Sequence, residues 1–206
     1  MKISIQATLA LLLAISAVST MTAVAQAPIR PEAAGGQLSR SELAISYNYL
    51  RSNAPPGGCA CFDLNGGSAS FAWPLKTGRF AVVADIAAAH ASAISSPGYD
   101  LTLSTYTVGG RYRQRQGHSQ LQPFGQVLIG LAHSSGSLVV GANSATSNAG
   151  AAFAAKLGGG LDLGLNRLFS WRLIEADYLV TTFDNGVNDR QNNLRIGAGV
   201  VVHFGK

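Results

Sequence analysis

The chain has 206 residues, of which 47% are hydrophobic and only 12% charged, and its formal net charge is +5. The lysines and arginines are scattered and form no basic block, so the composition gives no support to nucleic-acid binding. With 24 glycines and no apolar run beyond the N-terminus that could span a membrane as a helix, apolar surface must be spread over alternating strands.

The N-terminal residues 1–25 predict a secretory signal peptide. A lysine precedes an apolar run at 7–18, and small residues follow at 23–25. The run is about 12 residues long, whereas a membrane-spanning helix needs about 20. We expect residues 26–40 to form a short periplasmic segment and residues 41–206 to form one barrel domain.

Eight segments then alternate apolar residues with small or polar ones, which is the two-residue period of a β-strand. In chain order they are ELAISYNYL (42–50), SASFAWPL (68–75), FAVVADIAAAH (80–90), LTLSTYTVGGRYR (101–113), PFGQVLIGLAH (123–133), AAFAAKLGGGLDLGL (151–165), WRLIEADYLVTTF (171–183) and NNLRIGAGVVVHF (192–204). The pattern predicts an all-β fold, an eight-stranded antiparallel up-and-down transmembrane β-barrel.

Short and long connections between these segments alternate. The short ones are 75–79, 114–120 and 166–170, and the long ones, rich in Gly, Ser, Asn or Pro, are 51–67, 92–100, 134–150 and 184–191. Outer-membrane barrels have short periplasmic turns and longer external loops. This order predicts an outer-membrane protein with both termini on the periplasmic side.

The two faces of each strand differ in a way that indicates which face is the interior. Charged residues lie in mid-strand opposite the large apolar side chains, and the interior of a soluble protein rarely accepts so many ionised groups on one face. The polar face therefore predicts a lumen, filled by an ion-pair network. Its members are Asp85, Arg111, Lys156, Asp162, Glu175, Asp177 and Arg195.

Aromatic residues cluster beside the short turns and near the end of the last strand. They are Trp73, Phe80, Tyr112, Phe124, Trp171 and Phe204. A ring of aromatic side chains at the membrane interface is typical of transmembrane barrels. The alternative is that aromatic residues flank strands because they favour sheets in general.

The last strand also carries a family resemblance. GAGVVVHF places Gly199, Val202 and Phe204 where the C-terminal targeting strand of outer-membrane proteins has its glycine, hydrophobic and aromatic positions. Residues 41–206 resemble the small outer-membrane β-barrel superfamily that includes the OmpA transmembrane domain. GGGLDLGLNRLFSWRLIEADYL and QNNLRIGAGVVV are most similar to uncharacterised acidobacterial barrels. The resemblance implies a fold and assembly by the barrel-assembly machinery, but no reaction.

Two sequence features raise the possibility of catalysis. His90 and Ser92, like His133 and Ser135, place a serine two residues after a histidine on one strand face, as in the lipid A deacylase barrels, which this spacing resembles. No carboxylate shares that face nearby, so a group to orient the imidazole is missing. A second possible site, the Glu175 and Asp177 carboxylates, is better explained by the ion-pair network.

The first long connection contains Cys59-Ala60-Cys61, for which a disulfide and a free pair remain open, and no metal or other cofactor is indicated. We expect a non-enzymatic monomer with a structural or surface-interaction role through its external loops, whose partners are outer-membrane lipids and lipopolysaccharide. A small-solute channel and a lipid A-modifying hydrolase are the alternatives. A lumen of about eight strands is too narrow for a porin, which favours a barrel that does not conduct.

Overall fold

The computed structural model describes residues 40–52, 61–76, 78–94, 99–114, 119–136, 149–183 and 190–205, all within one compact unit, Gln37–Lys206. The predicted signal peptide, Cys59 and nearly all of the predicted periplasmic segment lie outside the described residues. Within the described ranges, no helix is long and apolar enough to cross a membrane.

Eight antiparallel strands form a closed barrel in simple sequence order, which confirms the predicted fold class. The strands are β1 (Ser41–Ser52), β2 (Phe62–Pro74), β3 (Phe80–Ile94), β4 (Tyr99–Arg113), β5 (Leu121–Ser135), β6 (Ala149–Gly164), β7 (Phe169–Thr181) and β8 (Gln191–Phe204). Pairing of β1 with β8 closes the sheet, so the barrel has no free edge.

Strand β2 begins earlier than the sequence suggested. Residues 62–67 were expected to belong to a loop, but they pair with the end of β1, from Ser52↔Phe62 to Tyr47↔Gly67. Phe62 and Leu64 point inward and are buried, whereas Asp63 and Asn65 are exposed. Gly and Asn are typical of loops, so the sequence did not indicate a strand here although buried and exposed residues alternate regularly.

The strands are strongly staggered around the barrel. Phe80 pairs with Tyr112, and each paired residue can be followed to its partner on the next strand around the barrel. This path returns to β3 at His90, ten residues beyond Phe80. Such a shear tilts the strands relative to the barrel axis and leaves eight strands with an interior that side chains can fill. Residues on distant strands therefore meet across the lumen.

Strand β7 contains a bulge that changes which residues face inward. Its register with β8 shifts between Arg172 and Glu175, and the adjacent Leu173 and Ile174 are both exposed on the outer wall. A bulge inserts one extra residue and reverses the alternation beyond it. As a result Arg172 and Glu175 both point into the lumen although they are three positions apart, which would place them on opposite faces of a regular strand.

Candidate functional site: the barrel lumen

Among the described residues, ten charged side chains lie in the lumen, and we call them the lumen network. Five are cationic and five anionic, so their formal charges cancel. They are Arg111, Arg113, Lys156, Arg172, Arg195, Glu42, Asp85, Asp162, Glu175 and Asp177. All seven residues that the sequence assigned to an ion-pair network are buried here, with exposed fractions of 3% or less.

Arg195 and Glu175 lie at the centre of the lumen network. The Arg195 guanidinium donates to Glu175 Oε1 at 2.6 Å and to the carboxylate of Asp177. Gln126 Nε2 donates to both carboxylates, at 2.8 Å to Glu175 and 3.0 Å to Asp177, while its Oε1 accepts from Arg111 at 2.8 Å. Gln126 thus links a cation to two anions and keeps the carboxylates hydrogen-bonded.

Lys156 and Asp85 form a second pair across the lumen. The Lys156 ammonium donates to Asp85 Oδ1, and Arg195 Nη1 lies 3.7 Å from the same oxygen. Both Lys156 and Asp85 are nearly inaccessible, and a buried charge is tolerated only with such partners. This pair joins β3 to β6, which are not neighbours in the sheet.

Arg172 and Asp162 extend the lumen network toward the short turns. Arg172 Nε donates to Asp162 Oδ1 at 2.9 Å, and its Nη1 donates to Glu175 Oε2 at 2.8 Å. Arg113 Nη2 donates to Asp162 Oδ2 at 3.0 Å and to Glu42 Oε2 at 2.7 Å. Each carboxylate in this half therefore accepts from at least one arginine, in the charge-assisted geometry that is strongest.

Phe124 corrects one sequence prediction. We expected it at the membrane interface, but its exposed fraction is 6% and its ring lies inside the lumen. The guanidinium carbons of Arg111 and Arg172 lie 4.5 Å and 4.6 Å from the ring centroid, within cation–π range. Phe124 lies two residues before the polar, inward-facing Gln126 on β5, and the two-residue period could have revealed its position.

Sequence reasoning missed three members of the lumen network, namely Arg172, Arg113 and Glu42. Arg172 seemed to face outward because strict alternation from Glu175 ignores the bulge, and no residue pattern in β7 announces that bulge. Arg113 has the parity of Arg111, and Glu42 lies opposite the apolar face of β1, so alternation carried to the strand ends would have found both.

Lumen-facing glycines make room for the charged and aromatic groups. A Cβ on Gly158 would lie 2.2 Å from Asp177 Oδ1 and 2.2 Å from the Ala176 carbonyl oxygen. A Cβ on Gly160 would lie 2.8 Å from the Phe124 ring. The space beside these glycines is therefore used by a carboxylate and an aromatic ring.

At the short-turn end, Ser170, His203 and Glu42 lie next to one another in series. Ser170 Oγ lies 2.7 Å from His203 Nε2, and His203 Nδ1 lies 3.6 Å from Glu42 Oε1. This order of groups is that of a nucleophile, a base and an orienting carboxylate. However, Ser170 is only 2% exposed and Glu42 is bound by Arg113, so the arrangement gives a substrate no access to the hydroxyl.

At the loop end, the lumen is filled by apolar side chains, which we call the apolar cap. The cap consists of Leu50, Phe62, Leu64, Ala89, Ala91, Ile94, Leu101, Leu103, Ala132, Ala154 and Leu179, with Phe183 packed against it. All of its core members are at most 9% exposed. The cap lies between the lumen network and the loop ends of the strands and keeps water away from the ion pairs beneath it.

The outer wall is apolar except near the loop ends of the strands. Five of the six residues predicted at the interface are exposed on it, namely Trp73, Phe80, Tyr112, Trp171 and Phe204. Phe169, which the sequence analysis did not single out, is 41% exposed in the same region. Exposed large side chains also cover the middle of the strands, including Ile86, Val127 and Leu157. A wall of this kind fits the hydrocarbon layer of a membrane.

The His–Ser pairs also lie on the outer wall. His90 and His133 are exposed at the loop ends of β3 and β5, and the polar contact shown for His90 is with the hydroxyl of Thr102, at 2.9 Å. Cys61 is an exposed free thiol among the described residues. Within the same ranges, no group of three or more His, Cys, Asp or Glu side chains is placed to hold a metal ion.

Comparisons with known structures agree on the fold. Neisserial surface protein A aligns with a TM-score of 0.60 and 14% identity over 80% of this chain and 97% of its own. Ail, the attachment invasion locus protein of Yersinia pestis, gives 0.52 and 17% over 79% and 98%. The N-terminal β-barrel domain of Pseudomonas aeruginosa OprF gives only 0.42, with 19% identity over 79% and 97%.

No family model matches the chain, and no curated protein matches it in sequence. At such low identities the first two structures show the fold alone, that of small outer-membrane barrels. The predicted fold of a small outer-membrane barrel is therefore confirmed, and the resemblance to the OmpA transmembrane-domain superfamily stays a prediction. The closer resemblance to acidobacterial barrels stays a prediction.

Proposed function

We propose that this protein lies in the outer membrane of a Gram-negative bacterium, with the short turns and both termini on the periplasmic side. In this membrane it has a structural or surface-interaction role through its external loops and catalyses no reaction. The apolar outer wall and the aromatic residues near the short turns support the membrane placement.

The filled lumen is the observation that carries the proposed role. The lumen network crosses the barrel with balanced ion pairs, and the apolar cap fills the loop end. A solute would have to displace both, and separating buried ion pairs costs several kcal/mol each. The external surface is then the part of the protein that can meet other molecules.

The structural neighbours are compatible with this role. One is named as a surface protein and the other as an attachment invasion locus protein. For this chain we propose contacts with outer-membrane lipids and lipopolysaccharide, assembly by the barrel-assembly machinery through β8, and a monomeric state. Nucleic acid is not among the proposed partners.

The role of the loops can be tested by exchange. Replacing the β1–β2 and β5–β6 connections with short turns should reduce adhesion of cells to surfaces or host material, while growth and envelope permeability stay unchanged. The two connections are replaced separately and together, with the β3–β4 connection as a control. Unchanged adhesion with altered permeability would contradict the surface-interaction role.

The two alternatives have separate tests. In planar bilayers, the purified refolded barrel should give no stable conductance steps, and large reproducible steps would support a channel. Mass spectra of lipid A from cells with and without the protein should be identical. The hydrolase alternative would be supported if lipid A lacked one acyl chain only in cells that make the protein. In cells without the protein, this loss should then return on expression of the wild-type chain but not of Ser135→Ala.

A further inference from the structure

The barrel wall reverses its polarity at the loop ends of β2–β5. Over most of the barrel, polar side chains face the lumen and apolar ones face outward. At these strand ends, the inward residues, such as Leu64, Ala89 and Leu103, belong to the apolar cap. The outward residues are polar, and we call them the rim patch: Asn65, His90, Thr102, Ser104, His133 and Ser135.

The rim patch is continuous across four strands. Asn65 pairs with His90, His90 with Thr102, and Thr102 with Ser135, while Ser104 pairs with His133. Directly opposed residues of an antiparallel pair have Cβ atoms about 5 Å apart. One small molecule could therefore contact several members of the patch at once.

Hydrogen-bonding groups of the rim patch remain available on its outer side. Tyr47 Oη donates to Asn65 Oδ1 at 2.8 Å, which leaves the Asn65 amide hydrogens for an external acceptor. His90 Nδ1 is engaged by Thr102 Oγ1 at 2.9 Å, which leaves Nε2. The His133 side chain is exposed on the outer wall. The patch offers hydroxyls, imidazoles and an amide, a set that matches the many hydroxyls of a sugar.

Among the described residues, the opposite wall is less polar at this level, although Asn192 of β8 also faces outward. At the loop ends of β6, β7 and β8, the outward side chains include Phe153, Tyr178 and Leu194, which are 49%, 48% and 46% exposed. A barrel that only needed a polar boundary above the membrane would show it on every strand. The asymmetry indicates that one side of the barrel meets a polar group at the membrane surface.

Below the rim patch lies an apolar surface. Ile86, Tyr106 and Leu131 are paired side by side on β3, β4 and β5, and each is more than half exposed. A polar patch directly above an apolar surface matches an amphipathic molecule, with its polar part at the rim and its chains along the wall. In the outer leaflet of an outer membrane, that molecule is a lipid.

We propose that the rim patch binds the sugar headgroup of an outer-leaflet glycolipid, whose acyl chains lie along Ile86, Tyr106 and Leu131. The proposal rests on the proposed outer-membrane location. The patch uses hydrogen bonds to sugar hydroxyls, so it distinguishes a glycolipid from a phospholipid with a small headgroup. This binding role belongs to the wall and does not depend on the external loops.

The test is native mass spectrometry of the refolded full-length mature chain in detergent, titrated separately with rough lipopolysaccharide and with phosphatidylglycerol. The variant His90→Leu/Thr102→Val/His133→Leu should bind lipopolysaccharide at least about tenfold more weakly because it loses several hydrogen bonds. Its phosphatidylglycerol binding should not change. The matched control on the opposite wall is Phe153→Leu/Val180→Ile/Leu194→Ile, which should retain wild-type binding of both lipids.

Unchanged lipopolysaccharide binding in the rim variant, or an equal loss for both lipids, would overturn the proposal. Folding is checked by heat-modifiable migration on gels. If the triple variant does not fold, His90→Leu and His133→Leu are measured singly. Each should lower the affinity for lipopolysaccharide about threefold, and an unchanged affinity in both would contradict the proposal.

Cell fractionation separates this proposal from the one on which it rests. A chain recovered from the outer membrane that shows no preference for lipopolysaccharide contradicts the rim patch alone. A chain recovered only from periplasmic fluid contradicts the location.

Discussion

The short-turn half of the lumen contains the lumen network, whereas the loop half is filled by the apolar cap. Both halves exclude solvent, but by opposite chemistry. Apolar packing tolerates other side chains of similar volume, while a buried ion requires a specific partner in a specific place. The charged half therefore determines how the strands are positioned, and the cap raises the strength of the ion pairs by keeping water out.

The largest effect should follow the loss of one central charge. Glu175→Leu leaves Arg172 and Arg195 without an acceptor that both use at 2.8 Å or less. The expected cost is about 3–5 kcal/mol of unfolding free energy. Urea unfolding of the refolded protein in lipid vesicles measures it. The exposed pair of Arg51 and Asp63 provides the control, since Arg51→Leu should leave the midpoint unchanged.

Removal of a complete ion pair should show whether the loss of stability comes from the unpaired charge. Asp85→Leu alone should cost about as much as Glu175→Leu, but Asp85→Leu/Lys156→Met should recover most of the loss, because balanced removal leaves no unpaired ion. Equal midpoints for the single and double variants would show that the lumen network is not held by charge pairing.

In the apolar cap, the expected effect depends on volume. Leu64 is fully buried, and Leu64→Ala should cost about 2–5 kcal/mol through lost transfer energy and the cavity left behind. Leu64→Met, which keeps the volume, should cost less than about 1.5 kcal/mol. The same unfolding measurement applies, and a larger loss for Leu64→Met than for Leu64→Ala would contradict a cap held by packing.

A smaller effect should distinguish two glycines. A Cβ on Gly158 would meet the backbone of β7 and the Asp177 carboxylate, so Gly158→Ala should cost about 1–3 kcal/mol. Gly110 has open space around its position, and Gly110→Ala should change stability by less than about 1 kcal/mol. Differential scanning calorimetry of both variants decides whether close approach, rather than loss of chain flexibility, explains the glycines of β6.

Most of the barrel could be predicted from the sequence because its pattern has a period of two. The eight strands, their order and the seven inward charges follow from alternation, which is a local property. The inward position of Arg172 could not be predicted because one bulge in β7 reverses the alternation, and a bulge depends on pairing with β8. Phe124 was misassigned because its proximity to a short turn was given more weight than the alternation of inward and outward residues along β5.

The candidate site was less predictable than the fold. Which cation meets which anion depends on the stagger of the strands, so the contact of Lys156 with Asp85, 71 residues apart, is not visible in the sequence. The rim patch was only partly visible. The histidines were recognisable, but their contact with Asn65 and Ser104 depends on register.

Closure of the barrel has a consequence for the order in which the protein can fold. Ser41 in the first strand pairs with Phe204 in the last, so nearly the whole chain must be made before β1 has both of its neighbours. A chain that has emerged only as far as β7 presents two unpaired strand edges, which are templates for aggregation. Contacts so distant in sequence also form slowly. Newly made chains must therefore be kept apart until β8 is present, and a truncation before β8 should be far more harmful than the removal of any single side chain.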